Sequence, residues 1–361
     1  METPAFSPLV ELNQQAKSSA VRDEILANPG FGNHFTDHMF LAEWTPEANW
    51  HDPRVVPYGP LMLDPATAVL HYAQEIFEGL KAYAHADGSV WSFRPEQNAA
   101  RLQRSARRLA LPELPIDWFM GSIRALIAAD RAWVPTGEER SLYLRPFMFA
   151  SEVFLGGRPS HHVTYSVIAS PAGAYFAGGV KPVDIWLSES FSRAALGGTG
   201  AAKCGGNYAA SLLPQQEAFD NGCAQVAFLD SVEHKWVEEL GGMNLYFVSA
   251  DGSIVTPELS GSILEGITRD SILTIARDLG HEVVERKVSI DQWREGVADG
   301  SISEVFACGT AAVVTPVGKL KWAGGEVGGA DEPGPVTSRI REALVDIQYG
   351  RAADTHGQVN T

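Results

Sequence analysis

LGGTGAAKCGGNYAA, residues 196–210, sets one lysine, Lys203, among Ala201, Ala202, Cys204, Gly205 and Gly206, all small and uncharged. A surface lysine needs no such setting. A lysine that lies beneath a flat ring, with backbone close to that ring, does. Desolvation there lowers an amine's pKa and makes it a better nucleophile toward an aldehyde. The alternative is a Gly-rich loop with an incidental lysine. Two phosphate-loop spellings fail: Ala202 stands where a Walker loop needs Gly, and Lys203 stands where a dinucleotide fingerprint begun at Gly198 needs one.

On the C-terminal side, WVEELGGMNLYFV (236–248) puts Glu238 and Glu239 before a Gly-Gly turn and an apolar strand. One acid at the mouth of a strand can hold a protonated ring nitrogen; an exposed acidic turn is the other reading. EGITRD (265–270) places a Gly before a helix start, where the free N–H groups of Ile267 and Thr268 suit a phosphate. CGTAA (308–312) follows a strand and offers Thr310 with adjacent amides. On the N-terminal side, Arg101 shares a helix with Arg104, Arg107 and Arg108, a pattern that also fits a solvated face. In SLYLRP (141–146), strand alternation turns Tyr143 and Arg145 to one face and Leu142 and Leu144 to the other.

Composition bounds the classes. The chain has 361 residues, 45% hydrophobic and 20% charged, as in a globular protein of about two domains. Its 28 basic against 44 acidic residues give −16, which argues against nucleic-acid binding. The three cysteines, Cys204, Cys223 and Cys308, form no CxxC or disulfide framework, and the N-terminus does not read as a signal peptide. No stretch is long and apolar enough for a membrane span. A cytoplasmic protein without a membrane partner is expected. His34 and His38 lack a zincin glutamate between them, so no metal is expected.

Strand-like and helix-like segments alternate without repeats. Residues 79–93 read as a hairpin turning at Asp87-Gly88, and Pro95 opens a helix to about Leu111. A helix over 117–132 and strands over 141–146 and 164–169 follow. Residues 170–182, SPAGAYFAGGVKP, break the periodicity as an interdomain linker would. Beyond it, strands fit 183–187, 225–229, 244–248, 282–285 and 304–308, and helices fit 208–221, 268–279, 290–298 and 336–348. The expectation is a mixed α+β protein with a smaller N-terminal domain (1–169) and a larger C-terminal one (183–361).

Taken in order, FTDHMFLAEW (35–44), LHYAQEIFEGLKAY (70–83), FRPEQNAARLQRSARRL (93–109), SLYLRP, PAGAYFAGG (171–179), AAKCGGNY (201–208), EELGGMNLYF (238–247), EGITRD and CGTAAVVTP (308–316) resemble the branched-chain amino-acid aminotransferases, pyridoxal 5'-phosphate (PLP) enzymes of fold type IV. The resemblance implies reversible, ping-pong amino transfer between L-leucine, L-isoleucine or L-valine and 2-oxoglutarate, in a homodimer. Lys203 matches the lysine that forms the internal aldimine and moves the Cα proton. Tyr208 matches the tyrosine on the cofactor's phenolic oxygen, and Glu239 the carboxylate on its ring nitrogen, with Glu238 as a solvent-facing neighbour. Arg101, the Ile267 and Thr268 amides and Thr310 match the phosphate cup. For substrate, Tyr72 and the amides around Gly242 and Ala311 match the carboxylate contacts. Phe35, Phe77, Tyr143 and Tyr175 match the apolar wall, and Arg145 the group that takes a distal carboxylate. The family often carries a hydroxyl residue where this chain has Gly242. The alternatives are another fold type IV enzyme, such as a D-amino-acid aminotransferase or aminodeoxychorismate lyase, and a noncatalytic PLP-binding sensor.

Overall fold

The computed structural model describes residues 4–137, 139–173 and 180–360. The chain divides into two compact units, a first of Met1–Ala177, Ala202–Gly205 and Gln348–Thr361 and a second of Gly178–Ala201 and Gly206–Ile347.

In the first unit a largely antiparallel sheet runs, from one edge, Leu9–Val10, Asn49–Pro57, His38–Thr45, Val163–Ala172, Ser141–Ala150, Leu80–Ala84, Val90–Phe93 and Val359–Asn360. The short strand Glu75–Phe77 pairs with Ser141–Ala150 beside this path. Helices Pro95–Arg108 and Ile116–Ala129 cover the sheet. Leu102, Ala106, Trp118, Phe119 and Ile123 on them share one core with Phe40, Trp50, Leu142, Leu144, Tyr165 and Val167. Pro95 stands in the first turn of its helix, where its missing N–H costs nothing. The 79–93 hairpin forms as read, between Leu80–Ala84 and Val90–Phe93.

The second unit carries a mixed sheet in the order Val237–Leu240, Gln225–Leu229, Val183–Leu187, Val313–Trp322, Ile302–Gly309, Asn244–Ser249, Ile254–Thr256 and Val283–Glu285. Its core joins Ile185, Leu187, Ala227, Leu245, Phe247, Trp293 and Ala307. Helices Ile267–Asp278 and Ile290–Asp299 match the expected ones closely. Ile290–Asp299 starts with a Ser289–Gln292 capping box.

Three expectations shift. The four residues Ala202–Gly205 group with the first unit, as do Gln348–Thr361, although the sequence reading gave everything from 183 onward to the second domain. The cause is burial: Ala202 and Cys204 sit in the first unit's core, on either side of Lys203. Of the expected linker, residues 170–172 instead finish the Val163–Ala172 strand, paired with Ser141–Tyr143. Residues 174–179, Tyr175 among them, lie outside the described residues. The helix expected over 208–221 breaks into Gly205–Ala209 and Leu212–Asp220. Pro214 has no N–H to donate back to Ala210 and so prevents one continuous helix.

Candidate functional site

In the first unit, four of the expected site residues converge on one ring. Phe77 carries Lys203 Nζ at 4.7 Å from its centroid and the Arg145 guanidinium at 4.8 Å. Arg145 also lies over Tyr143 at 5.5 Å and donates to its hydroxyl at 3.1 Å. The strand Ser141–Ala150 alternates as its sequence demands, with Leu142, Leu144 and Met148 in the core and Tyr143, Arg145 and Phe147 on the opposite face. Gly79 makes room for the Tyr143 ring, because a Cβ there would run into the tyrosine hydroxyl.

Lys203 is anchored by its backbone. Its N–H donates to Ser105 Oγ at 2.9 Å, and its carbonyl accepts from Phe77 N–H at 3.0 Å. Two residues on, Gly205 N–H donates to Glu75 Oε1. Ala202 and Cys204 are buried in the core, while Lys203 between them is half-buried with its amine over the Phe77 ring. This is the physical reason for small residues around that lysine.

Beside it lies a buried charge pair. Glu78, wholly buried, accepts from Arg101 Nε and Nη2, both at 2.8 Å, and from Asn98 Nδ2 at 2.8 Å. Burial alone would push the Glu78 carboxyl up. The charge and hydrogen bonds of Arg101, the charge of Lys203 and the Asn98 bond outweigh it and hold the group below its ordinary value. Arg101 faces inward while Arg104, Arg107 and Arg108 are exposed, so the four arginines are not one solvated face.

In the second unit, Glu239 is buried on the strand Val237–Leu240. Its Oε1 lies 2.8 Å from Arg193 Nη1 and accepts from Leu264 N–H at 2.9 Å. The Leu264 carbonyl in turn accepts from Asn244 Nδ2 at 3.1 Å. This tie leads to the start of Ile267–Asp278, whose N-cap Gly266 has no side chain to bond the first-turn amides of Ile267 and Thr268. Tyr208 places its ring beside Gly242, 3.7 Å from where a Cβ would stand, and 6.0 Å from the Arg193 guanidinium. Gly309 approaches Gly242 in turn, which sets the Thr310–Ala311 turn near it. Just after that turn, Val313, the first residue of its strand, holds φ at 62°, a left-handed conformation that a β-branched residue adopts only under strain.

Other expected residues make contacts of their own. Phe35 stacks on Tyr58 at 5.1 Å, and Tyr72 ends a short helix with 48% of its surface exposed. Glu238 is not solvent-facing: it is 6% exposed and accepts from the Ser262 hydroxyl on the opposite face of its strand. His38 is structural, with Nδ1 2.7 Å from Asp130 and Nε2 accepting from Asn13 N–H. Sequence reasoning missed Arg193 and Glu75. Arg193, in FSRAALGG, is a charge set among small residues, the same signal that singles out Lys203.

These residues fit PLP. Each unit by itself presents groups of the kind PLP calls for: the first a primary amine over an aromatic ring, the second a buried carboxylate and a helix start without a side-chain cap. Arg193 Nε and Nη2 are buried without a hydrogen-bond partner, two donors left open on the arginine that pairs with Glu239.

The amino-transferase class IV family profile matches residues 75–320. The chain is 62% identical, over 98% of its own length and 99% of the other's, to a probable branched-chain-amino-acid aminotransferase of Streptomyces coelicolor. Among solved structures it is similar to the branched-chain amino acid aminotransferase of Escherichia coli, with 32% identity and a TM-score of 0.75 over 90% of this chain and 99% of that one. The branched-chain amino acid aminotransferase of Thermobaculum terrenum, solved in its PLP form, gives 25% identity and a TM-score of 0.70 over 89% and 97%. With the class IV profile matched over residues 75–320 and 62% identity over nearly the whole of both chains, the chain belongs to the branched-chain-amino-acid aminotransferases of the class IV aminotransferase family.

Proposed function

We propose that this protein is a fold type IV, PLP-dependent enzyme. It moves the amino group between L-leucine, L-isoleucine or L-valine and 2-oxoglutarate. The observation that carries the substrate reading is the Phe77 ring with the Lys203 amine and the Arg145 guanidinium both over it. Such a wall accepts an aliphatic side chain by apolar contact, and it offers one guanidinium to the distal carboxylate of glutamate or 2-oxoglutarate.

The residues divide the work. When bound, PLP supplies an electron sink for the pair left at Cα as its proton departs. Lys203 Nζ takes that proton from Cα and returns it there in the reverse half-reaction. Glu239 favours the charged form of a ring nitrogen, and Arg193 fixes the orientation of Glu239 through Nη1. Tyr208 serves the phenolic oxygen. Arg101, the Ile267 and Thr268 amides and Thr310 hold the phosphate, and the amides around Gly242 and Ala311 hold the substrate carboxylate with Tyr72. Phe35, Phe77, Tyr143 and Tyr175 exclude water from the side-chain pocket. The protein works as a cytoplasmic homodimer; among the described residues, no helix is long and apolar enough to cross a membrane.

The test is the visible spectrum of the purified protein incubated with PLP. A yellow band should give way to that of the amine form on adding L-leucine, and should not respond to D-alanine. A band that responds to D-alanine alone would reject the L-specific reading.

A further inference from the structure

A pocket that serves both halves of this reaction has an electrostatic problem. Arg145 suits a dicarboxylate, but with leucine in the pocket its charge faces an alkyl chain. Leaving a desolvated guanidinium without a counter-charge is costly. Among the described residues, Arg145 is in no ion pair, and its Nε is buried without a hydrogen-bond partner.

Glu75 stands where a counter-charge is needed. It lies on the strand Glu75–Phe77, on the same face as Phe77 by alternation. That strand pairs antiparallel with Ser141–Ala150, setting Glu75 against Phe149 and Phe77 against Phe147, and the facing residues run on along the same side to Arg145. The Phe77 ring thus has the Arg145 guanidinium and the Lys203 amine over it and Glu75 two residues away on its own strand. Glu75 is half-buried. Burial pushes its carboxyl above the ordinary value, while the Gly205 N–H and the charge of Arg145 pull the other way. Its Oε1 accepts from Gly205 N–H, two residues after Lys203, and a Cβ at 205 would collide with that carboxylate. One carboxylate therefore reaches both the segment that carries the lysine and the field of the arginine.

We infer that Glu75 is a positioning and specificity-determining residue: it ties down the Lys203 segment through Gly205 and supplies the counter-charge that lets Arg145 tolerate an aliphatic side chain, at the expense of affinity for dicarboxylates. The inference rests on the reading of Arg145 as the distal-carboxylate group. With leucine bound, Glu75 neutralises Arg145 across the pocket. With glutamate bound, Glu75 repels the incoming carboxylate and holds its affinity down, so neither substrate dominates the pocket.

Glu75→Gln separates the two roles, because its amide oxygen still accepts from Gly205 N–H while the charge is gone. The measurements are steady-state kcat and KM for 2-oxoglutarate and for the 2-oxo acid of leucine, each with L-valine as the amino donor, with Tm of the PLP-loaded enzyme. Glu75→Gln should keep its Tm and lower KM for 2-oxoglutarate roughly 3- to 10-fold, the scale of one unit charge several ångströms away in a partly solvated site. KM for the leucine oxo acid should not fall. Glu75→Ala, which also loses the Gly205 acceptor, should show the same change in the ratio of the two kcat/KM values and a lower kcat for both. An unchanged ratio in both variants overturns the inference. Arg145→Gln is the control, and should lose 2-oxoglutarate while keeping the leucine oxo acid. If it does so while the Glu75 variants leave the ratio unmoved, the inference alone fails. If Arg145→Gln uses 2-oxoglutarate normally, the Arg145 reading falls and the inference with it.

Discussion

Arg193 Nη1 lies 2.8 Å from Glu239 Oε1, and both side chains are almost entirely removed from solvent, at 1% and 3% exposure. A pair this deep is expensive to assemble and more expensive to break, since removing one partner leaves the other charged in a low-dielectric site. Arg193 also lies over Tyr208. The arginine therefore connects the two side chains assigned to the cofactor's ring nitrogen and phenolic oxygen.

Glu239→Gln should lower the stability of the cofactor-free protein by about 3–5 kcal/mol, and so should Arg193→Met. The double variant should cost less than the sum, because each change removes the charge that the other strands. Urea unfolding of all four proteins measures the coupling. Additive losses would mean that the pair carries no mutual stabilisation and that Glu239 is held by Leu264 N–H alone.

Lys203→Ala should separate folding from chemistry. The lysine is fixed by its backbone, through Ser105 and Phe77, and its side chain is not in the core. The variant should therefore unfold within a few degrees of the wild type while losing at least about a thousandfold in leucine turnover. Retention of even a few per cent of that turnover would reassign the proton transfer to another group.

Glu78 makes the first unit sensitive to acid. Its folded pKa lies below its ordinary value of 4.5, so the unfolded chain takes up a proton first as the pH falls. The stabilisation is present at pH values above 4.5 and is lost as the pH drops through the lower, folded value. Glu78→Gln should be less stable than the wild type at pH 7, again by about 3–5 kcal/mol because Arg101 loses its partner. It should also lose less further stability on acidification below pH 4.5. Urea midpoints across that range test this, and parallel curves for the two proteins would contradict it.

Much of this arrangement was legible in the chain. Alternation in SLYLRP placed Tyr143 and Arg145 together, and the small neighbours of Lys203 marked it out. What escaped was set by contacts distant in sequence. Nothing near Glu238 signals that Ser262 will cover it, nor does anything near Arg193 announce Glu239, 46 positions on. Ala202 and Cys204 read equally well as core residues of either unit, so the grouping of Lys203 with the first one could not be inferred locally. The break before Pro214 was local, but the surrounding helical pattern masked it.

Glu238 should respond to pH with the opposite sign to Glu78. Burial pushes its carboxyl up, opposed by the Ser262 hydrogen bond and the charge of Arg193 and reinforced by Asp230. A raised folded pKa means that the folded state favours the protonated acid, so stability is lost as the pH rises through that value. Glu238→Gln keeps an oxygen for the Ser262 hydroxyl and removes the charge. It should match or exceed the wild type at pH 8, by up to about 1 kcal/mol, with the advantage shrinking toward pH 4. A destabilised Gln variant at pH 8 would show that the buried charge itself is required.

Leu61, Met62, Leu63, Leu70, Tyr72 and Val153 are exposed apolar or aromatic side chains in the first unit, and they offer a surface to the proposed homodimer. The segments carrying them are stitched together by Ala68 N–H to the Glu152 carbonyl at 2.9 Å and Phe154 N–H to the Ala66 carbonyl at 3.1 Å. Met62 is 97% exposed, more than a single apolar side chain on a monomer's working surface would explain in this company. A second copy of the chain covering this patch would also bring Tyr72, one of the residues assigned to the substrate carboxylate, to a subunit boundary. Met62→Asp should therefore weaken self-association at least about tenfold, read by sedimentation velocity, since a charge buried at an interface centre is poorly tolerated. Leucine turnover, followed over the same concentration range, should fall as the proposed dimer dissociates. A wild-type protein that sediments as an active monomer at micromolar concentration would refute both statements together.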